Sequence, residues 1–264
     1  MDPARVAGFI REVAEIDILP RFRQLKSGDI QEKSGPKDLV TIADIEAERR
    51  LGPMLTAYLP GSIAVGEEAA SADPSLVDRV GGDAPVWLID PVDGTLNFSE
   101  GDERFCVMVA LVRGGRAVAA WIHDPLTNRT TIAERGGGAW TEGERLQVAP
   151  AVPPERMTGL LTIRLFDPAT RERLRDRRTR LAKATTLRCA GHEYLHLASG
   201  QAHLGLYYRL LPWDHAPGTL IHAEAGGYAA MLDGRPYAPT VHAGGMLVTP
   251  DRESWGEAKA LLFG

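Results

Sequence analysis

The apolar run Val86-Trp87-Leu88-Ile89 ends abruptly in Asp90-Pro91-Val92-Asp93-Gly94-Thr95. A buried-looking strand that stops on two carboxylates three residues apart constrains the fold strongly, because both acids face one space and repel each other. Something positive belongs between them. Hard oxygen donors at close spacing suit Mg2+, which binds through one or two carboxylates together with substrate phosphate oxygens. Gly94 allows the backbone to approach a ligand closely, and a helix beginning at Thr95 would offer free N–H groups to a phosphate. Asp, Pro and Gly also favour turns, so this stretch alone leaves a plain turn open.

Other acids tilt the balance. Glu67 and Glu68 follow Gly66 at the end of a second short apolar strand, and Asp214 follows Trp213 at another strand–helix joint. Carboxylates at three strand ends can converge on one metal cluster. Two familiar acidic motifs do not fit. The D-x-D-G-T pattern of haloacid-dehalogenase-like phosphatases separates its acids by one residue, not two, and sits on an N-terminal strand. An EF-hand loop wants an acid or amide at its third position, where this chain has Val92.

The pattern around these joints predicts an α+β chain of layered sheets and helices. Apolar spacing over residues 3–25 suits an amphipathic helix that Pro20 ends or kinks. Lys26 to Lys37 reads as a polar connection. Thr41-Ile42-Ala43-Asp44 reads as an N-cap with an acid at N3, opening a helix to about Tyr58. Strands are expected over 62–66 and 85–89, then an antiparallel meander from Phe105 to Val148, cut by Gly114-Gly115, Asp124-Pro125 and Gly136-Gly137-Gly138. Pro150 to Pro154 marks a joint between an N-terminal half, 1–150, and a C-terminal half, 151–264. The second half alternates: strand 160–165, helix 168–183, strand 185–189, helix 191–201, strand 203–210, helix 214–226, two short strands and a last helix.

Composition removes several classes of function. A net charge of −5 gives no basic surface for nucleic acid. Two cysteines, Cys106 and Cys189, are too few for a disulfide framework or a cysteine zinc site, and both are expected as reduced thiols. Charged residues interrupt Met1 to Pro20, so no export signal fits there, and no window approaches a membrane span. The expectation is a cytoplasmic protein without a nucleic-acid or membrane partner.

With D-P-V-D-G-T-x-N-F at 90–98, G-E-E at 66–68, D-L-V-T-x-x-D at 38–44, W-D-H-A-P-G at 213–218 and A-E-A-G-G at 223–227, the chain resembles the inositol monophosphatase family. The blocks occur in family order and cover most of the chain. The resemblance implies the layered α-β-α-β-α fold shared with fructose-1,6-bisphosphatase, a Mg2+-dependent, lithium-sensitive phosphomonoesterase, and a homodimer. It implies that Glu67, Asp90 and the carbonyl of Val92 hold one metal, and that Asp90, Asp93 and Asp214 hold a second. Glu67 and Thr95 would position a metal-bound water, with Asp44 orienting Thr95. Gly94 and Thr95 would offer N–H groups to the phosphate, and Lys33 would help bind water or phosphate. For Asp44, helix capping is an equally good local role. The expected substrate is a small phosphate monoester, inositol monophosphate first, with histidinol phosphate, fructose 1,6-bisphosphate and a 3′-phosphorylated adenosine nucleotide as alternatives.

Three features depart from the family pattern. Small residues commonly follow the glycine at 191, but here His192, Glu193 and Tyr194 do. His192 and Glu193 are therefore candidate substrate contacts that reshape the pocket. Leu96 replaces a threonine. Arg209 stands near where an acid usually contacts substrate hydroxyls, favouring a more anionic substrate or simply facing water. His192-Glu193-Tyr194-Leu195-His196 also spells the H-E-x-x-H of zinc proteases. Its extended form fails, with Ser199 and Ala202 where Gly and a third His belong, and Glu224 is the one distant ligand available. A protein that binds phosphate esters without turning them over is the remaining rival. The basic run 171–180 reads as an exposed helix face with mixed ion pairs.

Overall fold

The computed structural model describes residues 1–35 and 38–264. Helix α1 (Pro3–Val13) opens on Asp2, whose side chain accepts from Ala4 N–H. It tightens and loosens through a π turn, Ala14–Ile18, and a 3-10 turn, Leu19–Arg21, around Pro20. The expected single helix over 3–25 is thus cut where proline removes a backbone donor. The polar stretch that follows is not simply a connection. Ile30–Gly35 forms β1, antiparallel to β2 (Asp38–Thr41), with Ile30 opposite Thr41; Pro36 and Lys37, the end of that stretch, lie outside the described residues. Helix α2 (Ile42–Tyr58) begins as expected in a capping box of Thr41 and Asp44.

Strand β3 (Ile63–Gly66) runs directly into α3 (Glu67–Ala72). Strand β4 (Val86–Asp93) is longer than its apolar run: it continues through both acids, with a register irregularity between Asp90 and Asp93. The strand therefore does not end at Ile89. It kinks, and Asp93 is still paired opposite Cys106. Helix α4 (Thr95–Glu100) follows at once. Then come β5 (Cys106–Arg113), β6 (Arg116–Asp124), β7 (Arg129–Glu134), β8 (Gly138–Thr141) and β9 (Glu144–Arg145), an antiparallel meander as expected. Together β3 to β9 form one sheet in chain order, with only β3 and β4 parallel.

The second half supplies β10 (Thr158–Leu161), α5 (Pro168–Arg177), β11 (Lys183–Thr185), α6 (Ala190–Ala198), β12 (Leu204–Arg209), α7 (Pro212–Glu224), β13 (Tyr228–Met231), β14 (Ala243–Thr249) and α8 (Arg252–Phe263). Its strands form a second sheet in the order β11-β10-β12-β14-β13. The strand expected at 185–189 lies earlier, at Lys183–Thr185, and shares only Thr185 with that range; beyond it Arg188 takes a left-handed φ of 58° on the way to α6.

Five layers result. Trp87, Ile89, Val107, Val109 and Trp121 pack one face of the first sheet against Val6, Ile10, Leu51 and Leu55 of α1 and α2. Leu88, Met108, Ala110 and Ile122 pack its other face against Tyr194, Leu197, Ala216 and Leu220 of α6 and α7, which meet Tyr207, Met246 and Val248 of the second sheet. Leu206 and Leu247, on that sheet's far side, meet Leu174 and Ala258 of α5 and α8. Both sheets are covered on both faces, so β4 and β5 read as continuous apolar runs instead of alternating. This is the α-β-α-β-α arrangement. Among the described residues, no helix is long and apolar enough to cross a membrane.

Candidate active site

Three strand ends meet as the spacing suggested. Carboxylate oxygens of Glu67 (start of α3), Asp90 (end of β4) and Asp214 (first turn of α7) lie within 4.8 Å of one another. They form the floor of a cavity of about 550 Å³, which Asp93, Gly94, Thr95 and Leu96 also line. Burial, then the charges of Glu67, Asp93 and Asp214, pushes the Asp90 carboxyl well above the usual range. Asp214 is pushed up likewise by burial, Glu67 and Asp93, while Arg209 and Lys33 pull it down. Close carboxylates shift in this way when nothing cationic stands between them.

Lys33 is the cation the fold itself supplies. Its ammonium lies 2.8 Å from Glu67 Oε1 and 2.7 Å from Glu68 Oε1. Burial pulls it down, but the two glutamates hold it above the ordinary lysine value. Burial and Glu67 also raise the Glu68 carboxyl to about 8. One lysine at the edge leaves the inner carboxylates under-compensated. The donor set is all carboxylate oxygen, the chemistry that suits Mg2+. The residues fit such an ion.

Asp44 divides its two oxygens between the roles considered for it. Oδ2 accepts from Thr41 N–H at 2.8 Å and Thr41 Oγ1–H at 2.5 Å, which is the helix cap. Oδ1 accepts from Thr95 Oγ1 at 3.2 Å. Burial drives this carboxyl up to about 7, against the Thr41 bonds. Thr95 Oγ1 also lies 3.0 Å from the Val92 carbonyl, and Val92 N–H donates to Asp90 Oδ1 at 3.1 Å. The loop at 90–95 is therefore held by its own side chains and backbone. Gly94 turns it, at φ 87°; a Cβ there would sit 2.8 Å from the Arg104 carbonyl.

Asp93 stands apart from the triad. Its Oδ2 accepts from Gly191 N–H at 2.5 Å and from Cys189 Sγ at 3.0 Å, and Cys106 Sγ lies 3.7 Å away. The bulged strand end turns this oxygen toward the start of α6, not toward Glu67. Of the five residues expected to hold metal, Glu67, Asp90 and Asp214 are gathered, with Asp93 and Val92 alongside.

The departures at 192–193 resolve differently. His192 is not among the cavity residues, because its Nε2 lies 3.1 Å from the Phe105 carbonyl. Glu193 does line the cavity, but its Oε1 accepts from Thr186 Oγ1 at 2.7 Å and Leu187 N–H at 2.8 Å. Burial raises its carboxyl to about 7. Glu193 therefore shapes the wall with Oε1 already bonded to the protein, while His192 stands behind it. The zinc-protease motif fails for the same reason: its glutamate is tied to the 186–187 loop, and Glu224 accepts from Gly136 and Gly138 N–H instead of approaching the histidines. Among the described residues, neither His192 nor His196 joins a group of three metal-ligating side chains.

Glu48, Asn97 and Arg164 were not singled out in the sequence, whereas Arg209 and the basic run that holds Arg178 were. Glu48, one turn after Asp44 on α2, accepts from Glu68 and Ala69 N–H, both at 2.8 Å, and so fixes the start of α3 that carries Glu67. A Cβ at Gly66 would fall 2.1 Å from the Glu48 Cδ. The i, i+4 spacing of Asp44 and Glu48 was the available signal. Fully buried Asn97 donates to the Arg104 carbonyl at 2.7 Å and the Leu187 carbonyl at 2.9 Å, joining α4 to the second half. Arg164, Arg178 and Arg209 line the outer cavity with Tyr208; among the described residues none has a carboxylate within ion-pair distance. Arg178 comes from the basic run, whose Arg175–Glu172 pair is exposed as expected. Arg188, on the same rim, pairs with Glu100.

Comparison with known proteins agrees with this geometry. The model of the inositol monophosphatase family matches residues 7–262. An inositol-1-monophosphatase of Rhizobium meliloti is 35% identical over 204 residues, 76% of this chain and 74% of the relative. A fructose-1,6-bisphosphatase/inositol-1-monophosphatase of Thermotoga maritima is 31% identical over 210 residues, 78% of this chain and 77% of the relative. A solved structure described as an IMPase/NADP phosphatase complexed with Mg2+ and phosphate superposes with a TM-score of 0.81 at 19% identity, covering 98% of this chain and 92% of that one; at that identity it speaks for the fold.

Proposed function

The chain belongs to the inositol monophosphatase family, a family of phosphoric monoester hydrolases, and from that premise we propose that its cavity hydrolyses a small phosphate monoester with Mg2+ held by Glu67, Asp90 and Asp214. The observation that carries the reading is the convergence of these three buried carboxylates beside the Thr95–Asp44 pair. Mg2+, when bound, supplies positive charge for the phosphate oxygens and makes a water molecule acidic enough to attack near neutral pH. The chain's own residues position and neutralise, which is most of what phosphoryl transfer asks of a protein.

Their roles follow from the bonds they make. Thr95 Oγ1 faces the cavity and is aimed by Asp44 Oδ1 and the Val92 carbonyl. A water that gives its proton to Thr95 Oγ1 lets the threonine proton pass to Asp44, whose carboxyl near 7 suits it to hold a proton at neutral pH. Glu67, fixed by Lys33 and by the Glu48 cap of α3, accepts from the same water. The first-turn N–H groups of α4 have no intrahelical acceptor and lie where Gly94, Thr95 and Leu96 line the cavity, open to phosphate oxygens. Asp93 adds negative charge next to the triad and anchors α6.

Inositol monophosphate is the first substrate to consider. The cavity's cations favour a second reading: Arg164, Arg178 and Arg209 offer three guanidinium groups to the same cavity as the acids, a setting for a second phosphate on the same molecule. The name of the Thermotoga maritima relative supports that choice. Phosphate release from inositol 1-phosphate, histidinol phosphate, fructose 1,6-bisphosphate and 3′-phosphoadenosine 5′-phosphate, with Mg2+ and with EDTA, tests both readings. Metal-dependent release is expected, faster with the doubly phosphorylated compounds. Folded protein that releases phosphate from none of them would overturn the phosphatase assignment for these substrates. Millimolar Li+ is expected to inhibit, and light scattering is expected to show a homodimer.

A further inference from the structure

A second set of close donors lies just behind the carboxylate triad. Asp93 Oδ2, Cys106 Sγ and Cys189 Sγ are within 4.8 Å of one another. The sulfurs are 3.8 Å apart, and the oxygen is 3.0 Å from Cys189 and 3.7 Å from Cys106. A tetrahedral ion with Zn–S near 2.3 Å and Zn–O near 2.0 Å needs edges of about 3.8 Å between sulfurs and about 3.5 Å between sulfur and oxygen. The three atoms already approximate one face of such a tetrahedron.

Each donor is held by a different element: the kinked end of β4, the first residue of β5 and the residue capping α6. Both thiols are free and buried. Gly191 leaves room beside Cys106 and Asp93, since a Cβ there would sit 2.2 Å from Cys106 Sγ and 3.3 Å from Asp93 Oδ2. Asp93 and Cys189 line the cavity, whereas Cys106 does not, so an ion can enter from the cavity side and keep its fourth position facing it.

We propose that Asp93, Cys106 and Cys189 form a second cation site, selective for thiophilic ions of the Zn2+ and Cd2+ class and distinct from the oxygen-only triad. Thiolate donors select such ions, while carboxylate oxygens leave Mg2+ to the triad. Binding is balanced by release of two protons to solvent, one from each thiol, as two metal–sulfur bonds and one metal–oxygen bond form. Asp93 Oδ2 can keep the Gly191 N–H on one lone pair and give the other to the ion. Occupation ties the metal loop to α6 and takes the Asp93 charge away from the triad, so these ions inhibit turnover. That consequence rests on the phosphatase reading; the binding does not.

The test uses the full chain, freed of metal, with Cd2+ as the probe. Ultraviolet thiolate-to-cadmium charge-transfer absorption is expected to saturate at one ion per protein, with two protons released. Cys106→Ser and Cys189→Ser are each expected to weaken Cd2+ binding at least tenfold, and the double variant to show no band. Cys106→Ala, which puts no hydroxyl into the apolar interior, repeats the measurement if the serine variants do not fold. No band in folded wild-type protein, or an equal band in the double variant, would overturn the site. Zn2+ inhibition of phosphate release that persists in a folded Cys106 variant would overturn the inhibitory role alone.

Discussion

The floor of the cavity and its rim are built on opposite terms. On the floor, Asp90 is buried and each oxygen of Asp44 has a named partner, as does Oε1 of Glu67. At the rim, Arg164 and Arg209 are exposed and, among the described residues, free of ion pairs. A buried charge needs fixed partners, because desolvation otherwise neutralises it. An exposed guanidinium costs little to leave waiting for a ligand. The proposed function therefore puts chemistry where the protein is over-determined, and substrate choice where it is not.

The sharpest way to break that contrast is Asp90→Asn. Removing one carboxylate from the triad is expected to lower turnover by more than about a thousandfold, some 4 kcal/mol of barrier. The metal-free variant should nevertheless be at least as stable as the parent near pH 8. The folded Asp90 carboxyl is raised by burial and its acidic neighbours, so ionising it costs stability that grows as pH rises above its unfolded value. Asparagine removes that cost. Thermal unfolding with EDTA at pH 8 checks the second half; a lower Tm together with lost activity would make Asp90 a structural residue.

Thr95→Val tests the floor more finely. It keeps the shape of the side chain and deletes the hydroxyl that joins the cavity to Asp44. A loss of about a hundredfold or more in kcat is expected, the scale of a positioned proton carrier, with KM for substrate little changed. The parent's kcat should fall as pH drops below about 7, where Asp44 becomes protonated and can no longer accept, and Thr95→Val should lose that dependence. An unaltered acid limb in the variant would remove the Thr95–Asp44 pair from proton transfer.

At the rim the expected effects are smaller and differently distributed. Arg209→Gln and Arg178→Gln should each raise KM for a doubly phosphorylated substrate about tenfold, the loss of a charge-assisted pair worth about 1.4 kcal/mol, and leave kcat and the matched monophosphate nearly unchanged. Equal effects on both substrates would move these arginines from substrate choice to general anion attraction.

The same contrast explains what could be read from the chain beforehand. The floor is encoded locally: Asp90 and Asp93 flank a proline within four residues, Thr41 caps the helix that carries Asp44, and Glu67 directly follows the glycine ending β3. Such patterns survive in a sequence because each meets its need within a turn or two. The layers were legible for a similar reason, since runs such as Cys106–Val112 are apolar on both faces. The rim was legible only in part, since Arg209 stood out by its place in the sequence but its grouping with Arg164 and Arg178 did not. Arg164 follows β10, Arg178 follows α5 and Arg209 ends β12, so they are separated in the chain and line one cavity only once these elements have packed. Where His192 and Glu193 end up could not be read either, because their partners, Phe105 and the 186–187 loop, depend on how α6 docks: Glu193 lines the cavity and His192 does not. The kink that turns Asp93 toward Gly191 was likewise a matter of pairing with β5, not of the D-P-V-D spacing.

The smallest effect lies away from the cavity. His222 of α7 is buried, with Nε2 2.9 Å from the Thr249 carbonyl and Nδ1 without a partner among the described residues. A Cβ at Gly227 would lie 2.0 Å from that Nε2, so the ring is packed without room to shift. Burial lowers its pKa from 6.5 to about 4. Unfolded chains bind this proton first as pH falls, so stability is lost between about pH 6.5 and 4, by at most about 3 kcal/mol for this residue. His123 and His215 are lowered to about 4 as well and act in the same direction. Glu193, raised by burial to about 7, opposes them: its unfolded form releases its proton first as pH rises, so stability falls from about pH 4.5 to 7 and is flat above. His222→Gln keeps a donor toward Thr249 and deletes one titration. Its Tm should drop less than the parent's between pH 7 and pH 5, while kcat at pH 7.5 stays the same. An identical drop in both proteins would assign the acid-side loss to His123 and His215, since the raised carboxyls of the cavity floor act in the opposite direction.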